Sequence, residues 1–173
     1  SRKIPNKIVL NVETRKGMAI LRAIKNWEAS ASSLIENIAT PEAVLIKNGF
    51  LVDDEGVVFA SDDGLTNLPK IDVIGLDFAV GFKFENDYLM KTFKLLSELK
   101  QSSIDNSHII IFNKFLIFQS RPKVVFNLDE NIHIQIASLQ LILQKAKMDS
   151  EELEFIDLRF DKPIVRLAPK KKS

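Results

Sequence analysis

The stretch His108-Ile109-Ile110-Ile111-Phe112-Asn113-Lys114-Phe115-Leu116-Ile117-Phe118 sets the fold class. Two apolar runs rich in β-branched and aromatic residues flank an Asn-Lys pair, the pattern of a β-hairpin with a two-residue turn. Next, Lys123 to Leu128 alternates, with Val124, Phe126 and Leu128 on one face. Residues 130–147 then switch to a helical period. Ile132, Ile136, Leu139, Leu143 and Ala146 fall at 4-3-4-3 spacing, and Asp129 is a candidate N-cap. Glu154 to Phe160 returns to alternation, with Ile156, Leu158 and Phe160 on one face. Pro163 interrupts it, and Ile164–Leu167 follows as a short extended piece. A proline there cannot donate to a central ladder, so this last piece is expected to be an edge strand.

Upstream, Lys7 to Glu13 alternates as a half-buried strand, and Met18 to Ile24 is apolar on both faces except at Arg22. Residues 28–40 read as an inserted loop with room for one helical turn. Phe50 to Ala60 reads as a hairpin about Asp53-Asp54-Glu55-Gly56, with Gly56 supplying a positive φ. That acidic turn lacks the alternating ligand spacing of a calcium loop. Residues 86–100 read as a helix, with Leu89, Phe93, Leu96 and Leu99 on one face and Asn86 or Asp87 as its cap. The expected class is α+β: an antiparallel-rich sheet with two helices packed on it and a C-terminal edge strand.

The chain has 173 residues, 46% of them hydrophobic and 27% charged, which fits a folded core and argues against disorder. Lys plus Arg number 24 against 23 Asp plus Glu. Five of the bases (Lys162, Arg166, Lys170, Lys171 and Lys172) lie in a final segment without an acid, so a −4 body carries a +5 end. Two readings of that end are open: a polar tail that closes the fold, or a patch that meets an anionic partner. The balanced total argues against a dedicated nucleic-acid binder. The absence of cysteine excludes disulfides, thiol nucleophiles and Cys-based zinc sites. No run of 18 apolar residues spans a membrane and no signal-peptide pattern is present. The chain opens Ser1-Arg2-Lys3 without a Met, and the expectation is a portion of a longer protein whose anchor lies upstream.

Catalytic patterns are absent. His108 and His133 belong to no metal-binding array, the six glycines form no phosphate loop, and no Gly-x-Ser-x-Gly elbow occurs. Trp27 and Tyr88 are isolated, so no aromatic platform exists. Asp157 and Arg159 share a strand face and read as a structural ion pair. The residues point to a non-enzymatic interaction domain with no cofactor, no metal and no small-molecule substrate.

Three segments carry a resemblance. The opening Arg2–Ile20, with its Pro5-Asn6 turn, alternating strand, Glu13 and basic Arg15-Lys16, resembles the end of a POTRA domain running into the β domain of the FtsQ/DivIB bacterial cell-division family. Phe50-Leu51-Val52-Asp53-Asp54-Glu55-Gly56-Val57-Val58-Phe59, with Leu68-Pro69, is similar to that family's Leu-Val-Asp-x-x-Gly-x-x-Phe … Leu-Pro stretch. Ile156-Asp157-Leu158-Arg159-Phe160-Asp161 is similar to its terminal Ile-Asp-Leu-Arg-aromatic motif. Gly17 departs from the usual proline, and 28–48 is longer than the family pattern. The resemblance implies residues 1–16 as the last strand of a POTRA-like domain, 17–168 as the β domain and 169–173 as a basic tail. It implies a single-pass protein of the bacterial inner membrane, with this domain on the extracytoplasmic side, that scaffolds the divisome by recruiting FtsB- and FtsL-type partners. The terminal edge strand would take up a partner strand, with Phe160, Asp161, Lys162, Ile164, Arg166 and Leu167 as the partner-binding set. A residue-level alternative keeps Phe160 in the core and Lys162 as a guard against aggregation. A different class is a POTRA-like substrate-handling domain of an outer-membrane assembly or secretion protein, but those come as tandem repeats.

Overall fold

A computed structural model describes residues 14–25, 44–45, 49–85, 87–99, 102 and 104–169. The expected strand at Lys7–Glu13, the 28–40 loop, Trp27, the Asn86 cap and the lysines at 170–172 lie outside the described residues.

The chain order is β1 (Ala19–Lys25), β2 (Val44–Leu45), β3 (Phe50–Val52), β4 (Val58–Ser61), β5 (Lys70–Ile74), α1 (Asp87–Glu98), β6 (His108–Phe112), β7 (Phe115–Phe118), β8 (Lys123–Asn127), α2 (Ile132–Asp149), β9 (Leu153–Asp157) and β10 (Ile164–Leu167). The strands form one sheet in the order β10-β9-β8-β7-β6-β5-β1-β3-β4, with β2 paired to the end of β1.

The sheet is mixed, which corrects the antiparallel-rich expectation. The pairs β1–β5, β5–β6 and β8–β9 are parallel. The cause is β5, which the sequence pattern hides. Lys70-Ile71-Asp72-Val73-Ile74 is short, follows Pro69 and carries two charges. It nevertheless takes the place between β1 and β6, parallel to both. Each parallel pair needs a crossover, and α1 and α2 supply those of β5–α1–β6 and β8–α2–β9. The pairings make β5, β6, β8 and β9 run the same way, and both crossovers step in the same direction across the sheet. Right-handed connections then put both helices on one face.

The core agrees. Leu89, Phe93, Leu95, Leu96 and Leu99 from α1 and Ile132, Ile136, Leu139 and Ala146 from α2 share one cluster with Leu21, Ile71, Val73, Ile109, Ile111, Phe118, Val124 and Phe126. The expected helical stripes face this core. The reverse face holds a smaller cluster of Ile110, Ile117, Val125 and Phe155.

Local signals are met with two corrections. The β3–β4 hairpin turns at Asp53, whose Oδ1 accepts the Glu55 and Val57 amides at 3.1 and 2.8 Å, while Gly56 takes φ +77°. Arg15 contacts the same carboxylate. The turn is therefore closed by its own first residue, as an Asx-type turn is. The α2 N-cap is Asn131, not Asp129: its side chain accepts the His133 and Ile134 amides. Asp129, two residues too early, instead accepts the Tyr88 hydroxyl at 2.8 Å. The strand expected over 154–160 ends at Asp157, so Phe160 leaves the face it was assigned with Ile156 and Leu158.

Asp72 is the polar residue that the centre of the sheet must accommodate. It is buried, opposite Arg22 of β1 in register. Arg22 grips it twice, Nε to Oδ1 at 2.6 Å and Nη2 to Oδ2 at 2.8 Å. His108 Nε2 lies 2.7 Å from Oδ2. An ionised carboxylate only accepts, so Nε2 bears the hydrogen and donates it. Burial works to raise the Asp72 carboxyl, but the bonds from His108 and Arg22 outweigh it and hold the group below its ordinary 3.8. A lowered carboxyl adds stability that is complete above the unfolded value near 3.8 and is lost as acid carries pH down through the lower folded value. Asp72→Ala is expected to cost about 2–3 kcal/mol at neutral pH, below the range for fully buried pairs because Arg22 and His108 reach solvent. Urea denaturation followed from pH 7 to 3 checks this, the variant losing less stability over the acid limb than the unaltered chain.

Candidate partner-binding edge

The sheet ends in β10, which pairs antiparallel with β9: Ile164 faces Asp157, Val165 faces Ile156 and Arg166 faces Phe155, with a shift before Leu167. No described segment pairs with its outer side. The expected C-terminal edge strand is therefore present. The far end of the sheet differs. There Val58 donates to the Phe82 carbonyl at 2.8 Å and accepts from Gly81 at 2.7 Å, and Val57 bridges Lys83, so residues 81–83 pair with the start of β4.

All four β10 residues are exposed, three of them large and apolar: Ile164, Val165 and Leu167. Asp161 and Lys162 are exposed in the bend before it, and Phe160 keeps 52% of its surface in solvent. The six candidate residues thus lie along one edge and the bend that feeds it. Phe160 is not core.

Phe160 is held outward by its neighbours. Asp157, buried at the end of β9, takes Arg159 in a fork, Nη2 to Oδ2 at 2.7 Å and Nε to Oδ1 at 2.9 Å, and also accepts the Arg159 amide at 3.1 Å. The expected ion pair is present, and its guanidinium lies between two rings, 5.0 Å from the Phe115 centroid and 5.3 Å from that of Phe160. A shallow groove of about 140 Å³ opens beside Phe160, lined also by Ile134, Gln135 and Ser138 of α2 and by Pro163.

The edge carries both signs: Arg166 lies over the Phe155 ring at 5.2 Å and pairs with Glu154 at 3.8 Å, and Asp161 stands beside Lys162 in the bend. Lys123, two strands in, is buried on the same sheet face. Burial, and then the charge of Arg166, pull its ammonium below the ordinary 10.5.

Sequence reasoning missed three things here. Val165 completes the apolar edge, and the regular strand pattern signalled it. Ile134 lines the Phe160 groove, and its position off the core stripe of α2 was the available signal. The Arg22–Asp72–His108 cluster was marked only by isolated polar residues in otherwise apolar strands. A larger cavity of about 420 Å³ sits at the ends of β5 and β6 beneath α1, but Val73, Ile74, Leu76, Phe84, Leu89 and Ile111 make it apolar, and it gathers no acid–base set. Among the described residues no cluster of metal-ligating side chains occurs, and no helix is long and apolar enough to cross a membrane.

No protein-family model matches the chain, and no curated protein matches it. The FtsQ/DivIB resemblance therefore stands on its short motifs.

The edge residues and the residue that positions them should separate in their effect on stability. Phe160→Ala, Ile164→Ser and Arg166→Ala are each expected to change it by less than about 1 kcal/mol, as exposed substitutions do. Asp157→Ala strips Arg159 of its partner and is expected to cost about 2–3 kcal/mol. Thermal and urea melts of the four variants test the separation.

Proposed function

We propose that this chain is an extracytoplasmic scaffold domain of the FtsQ/DivIB kind, which recruits FtsB- and FtsL-type division partners by accepting a partner strand on β10. One observation carries the reading: the outer side of β10 is unpaired along all four of its residues in the described chain, whereas the opposite edge strand is met by residues 81–83 at Val58. An uncovered edge offers N–H and C=O groups in register for another chain, and its alternate side chains select the sequence that binds. Phe160 is the exposed anchor beside that edge, and the exposed Lys162 and Arg166 can meet carboxylates of a partner segment. The domain acts without chemistry of its own, held at the bacterial inner membrane by an anchor elsewhere in the protein.

The test is titration of the folded chain with the extracytoplasmic segments of FtsB- and FtsL-type partners. Phe160→Ala combined with Arg166→Glu is expected to weaken binding by at least about 100-fold while circular dichroism and the urea midpoint stay near those of the unaltered chain. Strand addition also predicts that partner binding slows amide exchange within Ile164–Leu167. An unchanged dissociation constant in the folded double variant, or no added protection along β10, would sink the reading.

A further inference from the structure

We propose that Lys123 is a carbonyl-capturing amine, whose Nζ forms a reversible imine with a small oxo-acid held through its carboxylate by Arg166. Lys123 keeps only 6% of its surface in solvent. Among the described residues no carboxylate forms an ion pair with its Nζ and no acceptor lies within hydrogen-bond reach. A buried ammonium is ordinarily paired, because burial without a partner favours the neutral form. The strand register explains what stands beside it. Lys123 lies opposite Phe155, and Phe155 opposite Arg166, so the three form one row across β8, β9 and β10. The Arg166 guanidinium lies over the Phe155 ring at 5.2 Å, on the side of Lys123. The charge that acts on the amine is therefore a second cation. The acids of β9 are engaged elsewhere: Glu154 faces Arg166 Nε at 3.8 Å, and Asp157 is gripped by Arg159. A lysine taken out of water, set beside another cation and given no acid to hold its proton offers the free lone pair that attacks carbonyl carbon.

The same two side chains define the ligand. Both helices cover the other face of the sheet, so no described helix lies over Lys123, and Arg166 beside it has half of its side chain exposed. A small molecule reaches the amine from that open side. Arg166 Nη1 and Nη2 have no partner among the described residues, and the edge of a guanidinium takes a carboxylate by two parallel hydrogen bonds. A carbonyl adjacent to that carboxylate then comes to Nζ, which selects 2-oxo acids over simple aldehydes. The step balances. The ammonium releases a proton to water, and the Nζ lone pair forms the new bond to the carbonyl carbon. The resulting carbinolamine loses its hydroxyl with the remaining N–H hydrogen as water, leaving C=N. Hydrolysis reverses the sequence, so the site captures and releases its ligand unchanged. The inference does not depend on the strand-addition reading, since Lys123 lies two strands in from the outer side of β10 and no partner segment enters the test.

Reductive trapping tests it. The folded chain is treated at neutral pH with glyoxylate and cyanoborohydride, which delivers hydride to the C=N bond, and the labelled lysines are located by peptide mass spectrometry. Lys123 is expected to gain a carboxymethyl group at least about tenfold faster than the exposed Lys145, Lys147 and Lys162, in spite of its burial. Acetaldehyde, which has no carboxylate, should lose most of that preference, as should glyoxylate with the Arg166→Gln chain. Lys123→Met keeps the length of an apolar stem and should remove the fast label with circular dichroism unchanged. In the unaltered chain, labelling of Lys123 no faster than that of the exposed lysines would overturn the inference, and so would an equal preference for acetaldehyde. A fast label that persists in folded Lys123→Met, or an undiminished preference for glyoxylate in folded Arg166→Gln, would overturn it as well.

Discussion

The carboxylate of Asp72 joins three segments that are far apart in the chain. It lies 50 residues from Arg22 and 36 from His108, and from the middle strand of a parallel trio it holds the strand on either side. A buried carboxylate without partners would cost several kcal/mol and would shift the strand out of the sheet centre. With Arg22 opposite it in register and His108 at the start of the next strand, the polar residue fixes how β1, β5 and β6 align. A one-residue slip of β5 would turn Asp72 into the apolar helix-side core and Ile71 and Val73 out of it. The ion cluster is therefore better understood as a register device than as a source of net stability.

Alignment of that trio determines the rest. Once β5 and β6 are parallel neighbours, α1 must cross over, and the hand of the crossover places it on a given face. The β6–β7–β8 meander reverses direction twice, so β8 runs with β6 and the second crossover repeats the first. Both helices then cover one face, and the sheet can grow only sideways. Chain order carries that growth to β9 and finally to β10. The exposed edge is a consequence of the topology: after the second crossover only a short antiparallel return is left, and nothing follows within the described residues to cover it.

The legible parts of this fold were those in which one physical signal dominates. The hairpin at Asn113-Lys114, the hairpin at Gly56 and the core stripes of both helices all follow from period and turn chemistry. The edge position of Ile164–Leu167 followed from Pro163. The parallel character did not, because it depends on β5, whose Lys70 and Asp72 break the apolar pattern that marks a central strand. Asp72 is tolerable only because Arg22 and His108 meet it, and no local window contains that fact. The Asn131 cap was missed because two acceptors stand within three residues and only the first amides of the helix choose between them. The candidate site was legible as a strand, but not as a surface. Phe160 sits outside β9 because Asp157 turns back to grip Arg159, and a simple alternation count cannot foresee that turn.

An edge this short also constrains how it can be used. In a four-residue strand two residues face outward, giving about four main-chain hydrogen bonds to an added strand. At roughly 0.5–1.5 kcal/mol net for each, those bonds supply about 2–6 kcal/mol. Association costs about 4–15 kcal/mol in lost freedom before anything is gained. The backbone of β10 therefore cannot hold a partner by itself, and the register shift before Leu167 shortens the ladder further. The same shortness, with Pro163 before the strand and Lys162 and Arg166 beside it, keeps Ile164, Val165 and Leu167 from recruiting arbitrary strands. Discrimination must come from the side chains around the edge. On the proposed reading, an aromatic anchor at Phe160 with a groove beside it, together with Lys162 and Arg166, provides that selectivity. A partner would need an apolar residue for the groove and a carboxylate near Arg166 before the strand bonds could add to a lasting complex.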